Sequence, residues 1–169
     1  MENRTNAEIN VLEKIEEITE LFKDYNSKVF SQTDEGYDWL EEEDSKCIVL
    51  ENPYSDVPIE IGVGDMDEFT LFFAGGHAHF DGDLLDYGRL LTCVRNILQG
   101  VECAGRLTDS DGRWYSAGFF EKDVLRKSPE DVFETVFRIP VFAKQLQSKG
   151  YKVEYIFWNP SDNQTVMGK

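Results

Sequence analysis

Residues 47–75 read "CIVLENPYSDVPIEIGVGDMDEFTLFFAG" and contain three short runs that are rich in β-branched and aromatic residues. The runs are "CIVLEN" (47–52), "PIEIGVG" (58–64) and "EFTLFFAG" (68–75), with Asn-Pro and Gly-Asp turn residues between them. Short runs of this composition between turn residues are typical of consecutive strands. This stretch therefore predicts an antiparallel meander of three strands.

A helical pattern precedes the meander. In residues 7–25, apolar side chains recur at steps of three and four, with Glu and Lys between them. They are Val11, Ile15, Ile18, Phe22 and Tyr25. This spacing predicts an amphipathic N-terminal helix over about 7–25.

A second helical pattern follows the meander, over residues 81–99. Its apolar residues, again at helical spacing, are Leu84, Leu85, Tyr87, Leu90, Leu91, Val94, Ile97 and Leu98. We expect Asp81 or Asp83 to cap the first amides of this helix and Gly100 to end it. The width of the apolar stripe predicts a helix that is largely buried.

A hairpin is predicted next, because "VECAGRL" (101–107) and "RWYSAGFF" (113–120) flank the turn "TDSDG". The tetrapeptide Ser128-Pro129-Glu130-Asp131 has the residue types of a helix start, with serine as the cap and proline at the first position.

The C-terminal residues predict one more helix and one more strand. Pro140 is expected to interrupt the preceding helix, which leaves a helical piece over 141–150. The run "KVEYIFW" (152–158) predicts an exposed final strand that could pair edge to edge. Taken in order, these elements predict a single α+β domain over residues 1–169, with helices packed against a mostly antiparallel sheet.

The negative charge of the chain is concentrated in one segment. The formal net charge is −16, and residues 31–68 carry 13 acids and 1 base. Direct binding of nucleic acid requires clustered Lys and Arg that neutralise phosphates, so the composition excludes it as an expected function. A basic protein is the partner that this charge favours.

The most acidic part, residues 31–46, combines turn residues with little periodicity and predicts an exposed acidic loop. Tyr37 and Trp39 within it, and Tyr54 nearby, are aromatic residues of the kind that anchor protein interfaces. The candidate partner-binding residues are Asp34, Glu35, Asp38, Trp39, Glu41, Glu42, Glu43 and Asp44.

The three cysteines and the N-terminus indicate the compartment. Cys47, Cys93 and Cys103 are odd in number and lie in apolar surroundings, which favours buried free thiols in a reducing compartment. The chain has no basic segment followed by an apolar run at its start, and no run as long as a membrane span. We therefore expect a cytoplasmic protein.

Both histidines lie in "HAHFDG" (77–82), and two hypotheses explain them. His77, His79 and Asp81 could ligate one metal ion and support a metal-dependent hydrolase, since His-x-His places both rings on one side of a strand. The segment resembles the start of the metallo-β-lactamase motif H-x-H-x-D-H, but Gly82 stands where that family has histidine. The alternative is that the histidines lead into the helix cap and donate hydrogen bonds to Asp81 or Asp83.

Other catalytic patterns are missing from the sequence. There is no G-x-S-x-G elbow and no P-loop, and Cys93 and Cys103 lie in apolar runs that predict core positions. The sequence therefore predicts no catalytic residue, no cofactor and no enzymatic activity.

The segments "TLFFAGGHAHFDGDLLDYGRLLTCVRNILQG" (70–100) and "CAGRLTDSDGRWYSAG" (103–118) resemble bacterial immunity proteins of polymorphic and contact-dependent growth inhibition toxin systems. The resemblance is one of layout and spans about residues 68–158. It implies an antitoxin that binds and neutralises one cognate secreted toxin domain, commonly a nuclease, and it assigns no functional residue. A different hypothesis is an acidic protein-interaction module with another basic partner, and the sequence leaves the oligomeric state open.

Overall fold

The computed structural model describes residues 7–127 and 140–168. The chain divides into two compact units. The first comprises Met1–Phe73 and Ala78–Arg95, and the second comprises Ala74–His77 and Asn96–Lys169. The expectation of a single domain stays a prediction.

Five antiparallel strands form the first sheet, in the order β1-β2-β3-β4-β5. They are β1 (Lys28–Ser31), β2 (Lys46–Leu50), β3 (Ile59–Val63), β4 (Phe69–Phe73) and β5 (Gly76–Phe80). The meander predicted from residues 47–75 is confirmed as β2, β3 and β4. Strands β1 and β5 extend the meander at its two edges and were not predicted from the sequence.

The turn between β4 and β5 has two residues in the left-handed region, Ala74 (φ 49°) and Gly75 (φ 86°). Two consecutive positive φ angles are the conformation of a two-residue hairpin turn of the primed type. The segment that contains both histidines is therefore the second strand of a tight hairpin. The histidines lie on a strand of their own, and this strand leads into the helix cap at Asp83, as predicted.

The predicted N-terminal helix over 7–25 is shorter and broken in the structure. A 3₁₀ turn at Val11–Lys14 precedes the α-helix α1 (Ile15–Leu21), and a second 3₁₀ turn follows at Lys23–Tyr25. Residues 7–10 are not helical, since Glu8 forms a β-bridge with Asp83.

Helix α2 (Leu84–Leu98) begins and ends as the sequence predicts. Asp83 caps it, because its Oδ1 accepts hydrogen bonds of 2.8 Å from the N–H groups of Leu85 and Asp86. The buried stripe consists of Tyr87, Leu90, Leu91, Val94 and Ile97. Leu84 and Leu85 were predicted to belong to this stripe but are each 54% exposed, since the stripe begins only in the second turn.

Four antiparallel strands form the second sheet, in the order β7-β6-β8-β9. They are β6 (Glu102–Asp109), β7 (Trp114–Glu121), β8 (Tyr151–Ile156) and β9 (Gln164–Gly168). The predicted hairpin is confirmed as β6 and β7. The expectation that "KVEYIFW" forms an exposed edge was wrong, because β8 lies between β6 and β9 and the missed strand β9 occupies that edge.

Helix α3 (Pro140–Lys149) lies in the second unit, where Ala143 and Leu146 join a core with residues of β6 and β8. The predicted helix start at Ser128-Pro129-Glu130-Asp131 lies outside the described residues. The expected α+β class with antiparallel pairing is confirmed, although the strands form two sheets where one was predicted.

A buried carboxylate organises the turn of the β6–β7 hairpin. Asp109 is 3% exposed and accepts hydrogen bonds from the N–H groups of Asp111 (3.0 Å) and Arg113 (2.9 Å) and from the hydroxyl of Tyr115 (3.3 Å). Burial by itself raises the pKa of Asp109, but these hydrogen bonds outweigh it and hold the pKa below its ordinary value.

Candidate protein-binding surface

The acidic loop, defined here as residues 32–45 between β1 and β2, carries every residue that the sequence analysis proposed for partner binding. All seven of its carboxylates are exposed, and Trp39 is 40% exposed. The seven acidic residues are Asp34, Glu35, Asp38, Glu41, Glu42, Glu43 and Asp44. The structure thus brings the predicted residues together on one connection of the sheet.

Apolar side chains of the acidic loop attach it to the face of the sheet formed by Phe30, Cys47 and Val49. Tyr37 stacks on Phe30, with ring centroids 4.4 Å apart and planes 8° from parallel. Leu40 is 1% exposed and packs with Cys47 and Val49. This is why both alternating sets of side chains in β2 are covered, one set by the core and the other by the loop.

Trp39 extends this contact to the middle of the sheet. Its ring makes an edge-on contact with Phe72 of β4, with centroids 5.4 Å apart. A Cβ added at Gly62 of β3 would lie 3.5 Å from Trp39 Cη2, so the indole rests directly over this position. Trp39 therefore presents one side to solvent and holds the loop with the other.

Hydrogen bonds to the β3–β4 turn fix the backbone of the acidic loop. Asp65 Oδ1 accepts hydrogen bonds from the N–H groups of Glu41 (3.1 Å) and Glu42 (3.0 Å). In the reverse direction, Glu42 Oε1 accepts a hydrogen bond of 3.1 Å from the Met66 N–H. We call these three hydrogen bonds the Asp65 clamp.

A second set of hydrogen bonds fixes the start of the loop. Asp34 Oδ2 accepts hydrogen bonds from the N–H (2.7 Å) and the hydroxyl (3.0 Å) of Ser31. These bonds, the one from the N–H first, lower the pKa of Asp34. Asp34 and Glu42 thus shape the loop, and sequence reasoning alone did not separate them from the other acids.

The five remaining carboxylates of the loop are available to a partner. Within residues 7–127 and 140–168, no hydrogen bond or ion pair engages the side chains of this group. The group consists of Glu35, Asp38, Glu41, Glu43 and Asp44. They form an exposed set of negative charges on a backbone that is held in place.

Glu60 is a further acidic residue that the sequence analysis did not single out. It lies in β3, opposite Val49 of β2 and Phe72 of β4, on the face that the acidic loop partly covers. Burial raises the pKa of Glu60. The alternation in "IEIGV" indicates that Glu60 points away from the core, but only the position of the loop makes it partly buried.

The first unit also has a depression of about 550 Å³ whose lining is mostly acidic. It is lined by Glu8, Ile9, Asp67, Asp81, Gly82 and Asp83.

The two histidines are exposed on β5. His79 Nδ1 lies 2.6 Å from Glu68 Oε1 and 3.3 Å from Thr70 Oγ1. Asp83 caps α2, and the N–H of Asp81 donates to Asp86. The hairpin thus places His79 beside Glu68 and Thr70, and the expected hydrogen bonds from the histidines to Asp81 or Asp83 stay a prediction.

The alternative metal site is not assembled in the part of the chain that the structure describes. There, no group of three or more His, Cys, Asp or Glu side chains is placed to hold a metal ion. His77, His79 and Asp81 therefore do not form a ligand set.

The positions of the cysteines are typical of core residues and not of nucleophiles. Cys47 and Cys103 are fully buried, and burial raises the pKa of each thiol to about 12. All three cysteines are free, and Cys93 is intermediate in exposure. The prediction of buried free thiols is thus confirmed for two of the three.

None of the described helices is long and apolar enough to cross a membrane. Comparisons of the chain with protein-family models, with curated proteins and with solved structures found no match.

Proposed function

We propose that this chain is an immunity protein of the cytoplasm that binds and neutralises a cognate basic toxin domain, with a nuclease as the favoured class. One observation carries the proposal. Five carboxylates that no described residue engages share a loop with the half-exposed Trp39, and the Asp65 clamp and aromatic stacking fix the backbone of this loop to the sheet.

The negative charge of the loop is complementary to the active site of a nuclease. A nuclease binds phosphates and therefore has a positively charged active site. An acidic surface that covers such a site accelerates association by electrostatic steering and disfavours acidic or neutral partners. Fixing the loop backbone beforehand reduces the conformational entropy that is lost on binding.

The test is a charge-removal variant that leaves the loop fold intact. Glu41, Glu43 and Asp44 are replaced by Ser, while Glu42 is kept because its carboxylate holds the Met66 N–H. The matched control removes the same charge from exposed acids of the second unit, by replacing Glu121, Asp123 and Asp162 with Ser.

The partner in the assay is the C-terminal domain encoded by the reading frame immediately upstream, expressed with and without this chain. We expect this domain to arrest growth and the wild-type chain to relieve the arrest. The loop variant should bind the purified domain about tenfold more slowly at low salt, and with a weaker salt dependence. The control variant should stay within about twofold of the wild type, because its acids are remote in sequence and lie in the other unit.

Two results would count against the proposal in different ways. If the wild-type chain neither relieves arrest nor binds the upstream domain, the immunity function is wrong for that pair. If it binds but the loop variant associates as fast as the control variant, a different surface makes the contact.

A further inference from the structure

Glu60 is a carboxylate on a surface of apolar side chains. Its cross-strand neighbours are Val49 and Phe72, and Gly62, two residues along β3, lies under the Trp39 indole. Among the described residues, none forms a hydrogen bond or an ion pair with the Glu60 carboxylate. A partly buried acid in such a place costs folding free energy, which a valine or threonine would avoid.

Trp39 and Phe72 supply aromatic surface next to this carboxylate. Their rings meet edge-on, and Trp39 remains 40% exposed although it is packed against the sheet. Aromatic faces attract cations, and tryptophan does so most strongly. The combination of a poorly solvated carboxylate and an exposed indole is chemically complementary to a flat cation.

We propose that Glu60, Trp39 and Phe72 form a receptor for one arginine side chain of the basic partner. Arginine fits better than lysine, because its planar guanidinium stacks on an indole while its N–H groups pair with a carboxylate. This inference rests on the proposed function for the identity of the partner. It goes further by naming the residue type that the partner inserts and the point where it binds.

The receptor can be tested without any partner by titrating the full chain with N-acetyl-L-arginine methylamide. The readouts are the NMR signals of the Trp39 indole N–H and of the Gly62 and Phe72 amides. The matching citrulline compound is the control ligand, since it keeps the shape and removes the charge. We expect saturable shifts with a Kd on the order of 10 mM for the arginine compound, and no saturation for citrulline.

Variants assign the shifts to the receptor. Glu60→Gln keeps the size of the side chain and should weaken arginine binding at least fivefold. Glu121→Gln removes one exposed carboxylate of the second unit and should leave binding within about twofold. Trp39→Phe, followed at the Gly62 amide, should weaken binding about threefold.

Three results would overturn the inference. They are the absence of saturable shifts in the wild-type chain, equal binding of the arginine and citrulline compounds, and unchanged binding by Glu60→Gln.

The purified toxin domain separates this inference from the proposed function. Glu60→Gln should speed dissociation of the complex about tenfold with little change in the association rate, the opposite of the loop variant. Tight binding of the domain that is insensitive to Glu60→Gln would refute the receptor and leave the immunity function standing.

Discussion

The Asp65 clamp makes a sharp prediction, because a single carboxylate oxygen holds two backbone amides of the acidic loop. In Asp65→Ala, the N–H groups of Glu41 and Glu42 lose the acceptor that lies 3.1 and 3.0 Å away. A hydrogen bond to a charged group contributes about 1.5–3 kcal/mol, and the exposed position of these two places their joint contribution near 1–2 kcal/mol.

The loss should appear as local opening of the loop. A change of 1–2 kcal/mol increases an opening equilibrium about 5- to 30-fold. We expect hydrogen-exchange protection of the Glu41 and Glu42 amides to fall by this factor in Asp65→Ala. Amides of β2 and β3 should keep their protection, since their ladder does not depend on Asp65.

Two variants serve as controls for charge and for geometry. Asp67→Asn removes one charge from the same turn, where no described residue bonds to the Asp67 side chain, and it should change nothing. Asp65→Asn keeps an oxygen acceptor and should reduce protection only about two- to threefold. Unchanged protection in Asp65→Ala, or an equal loss throughout β2 and β3, would refute the local clamp.

Three further predictions concern the fold. Asp109→Asn should lower the free energy of unfolding at pH 7, because an amide oxygen is a weaker acceptor than the carboxylate for these hydrogen bonds. Since the folded-state pKa of Asp109 is lowered, this difference should close as the pH falls below about 4, and urea titrations with Asp111→Asn as an exposed control measure it. Ala74→Asn should stabilise the chain by about 0.5–1 kcal/mol, because asparagine tolerates φ 49° better than alanine does, and a lower urea midpoint would contradict this. The thiols of Cys47 and Cys103 should stay unmodified by a disulfide reagent at pH 8 until the chain unfolds, because burial raises each pKa to about 12, and fast native-state labelling of either would contradict their burial.

The local sequence pattern was sufficient to predict those strands and helices whose apolar residues follow one regular spacing. The strands β2, β3 and β4 follow from short β-branched runs between turns, and α2 from its apolar spacing together with the cap at Asp83. In each case neighbouring residues in sequence carry the information, so no long-range contact was needed to recognise the element.

The missed strands lack such a pattern. Strand β1 has only four residues and lies at an edge, and β9 has exposed side chains at three of its five positions. Strand β5 contains both histidines and begins with glycine, which is disfavoured in strands. These strands exist because a neighbouring strand offers hydrogen-bond partners, and that condition is set by the tertiary structure.

The candidate binding surface was likewise predictable from the sequence only in part. The sequence by itself determined that negative charge is concentrated in residues 31–68 and that an exposed loop carries much of it. Only the tertiary structure decided that Asp34 and Glu42 hold the loop, that Trp39 lies over β3, and that no described residue forms a hydrogen bond or an ion pair with the Glu60 carboxylate. The physical reason is that charge and periodicity are properties of neighbouring residues, whereas hydrogen bonding and desolvation depend on residues far apart in the chain that folding brings together.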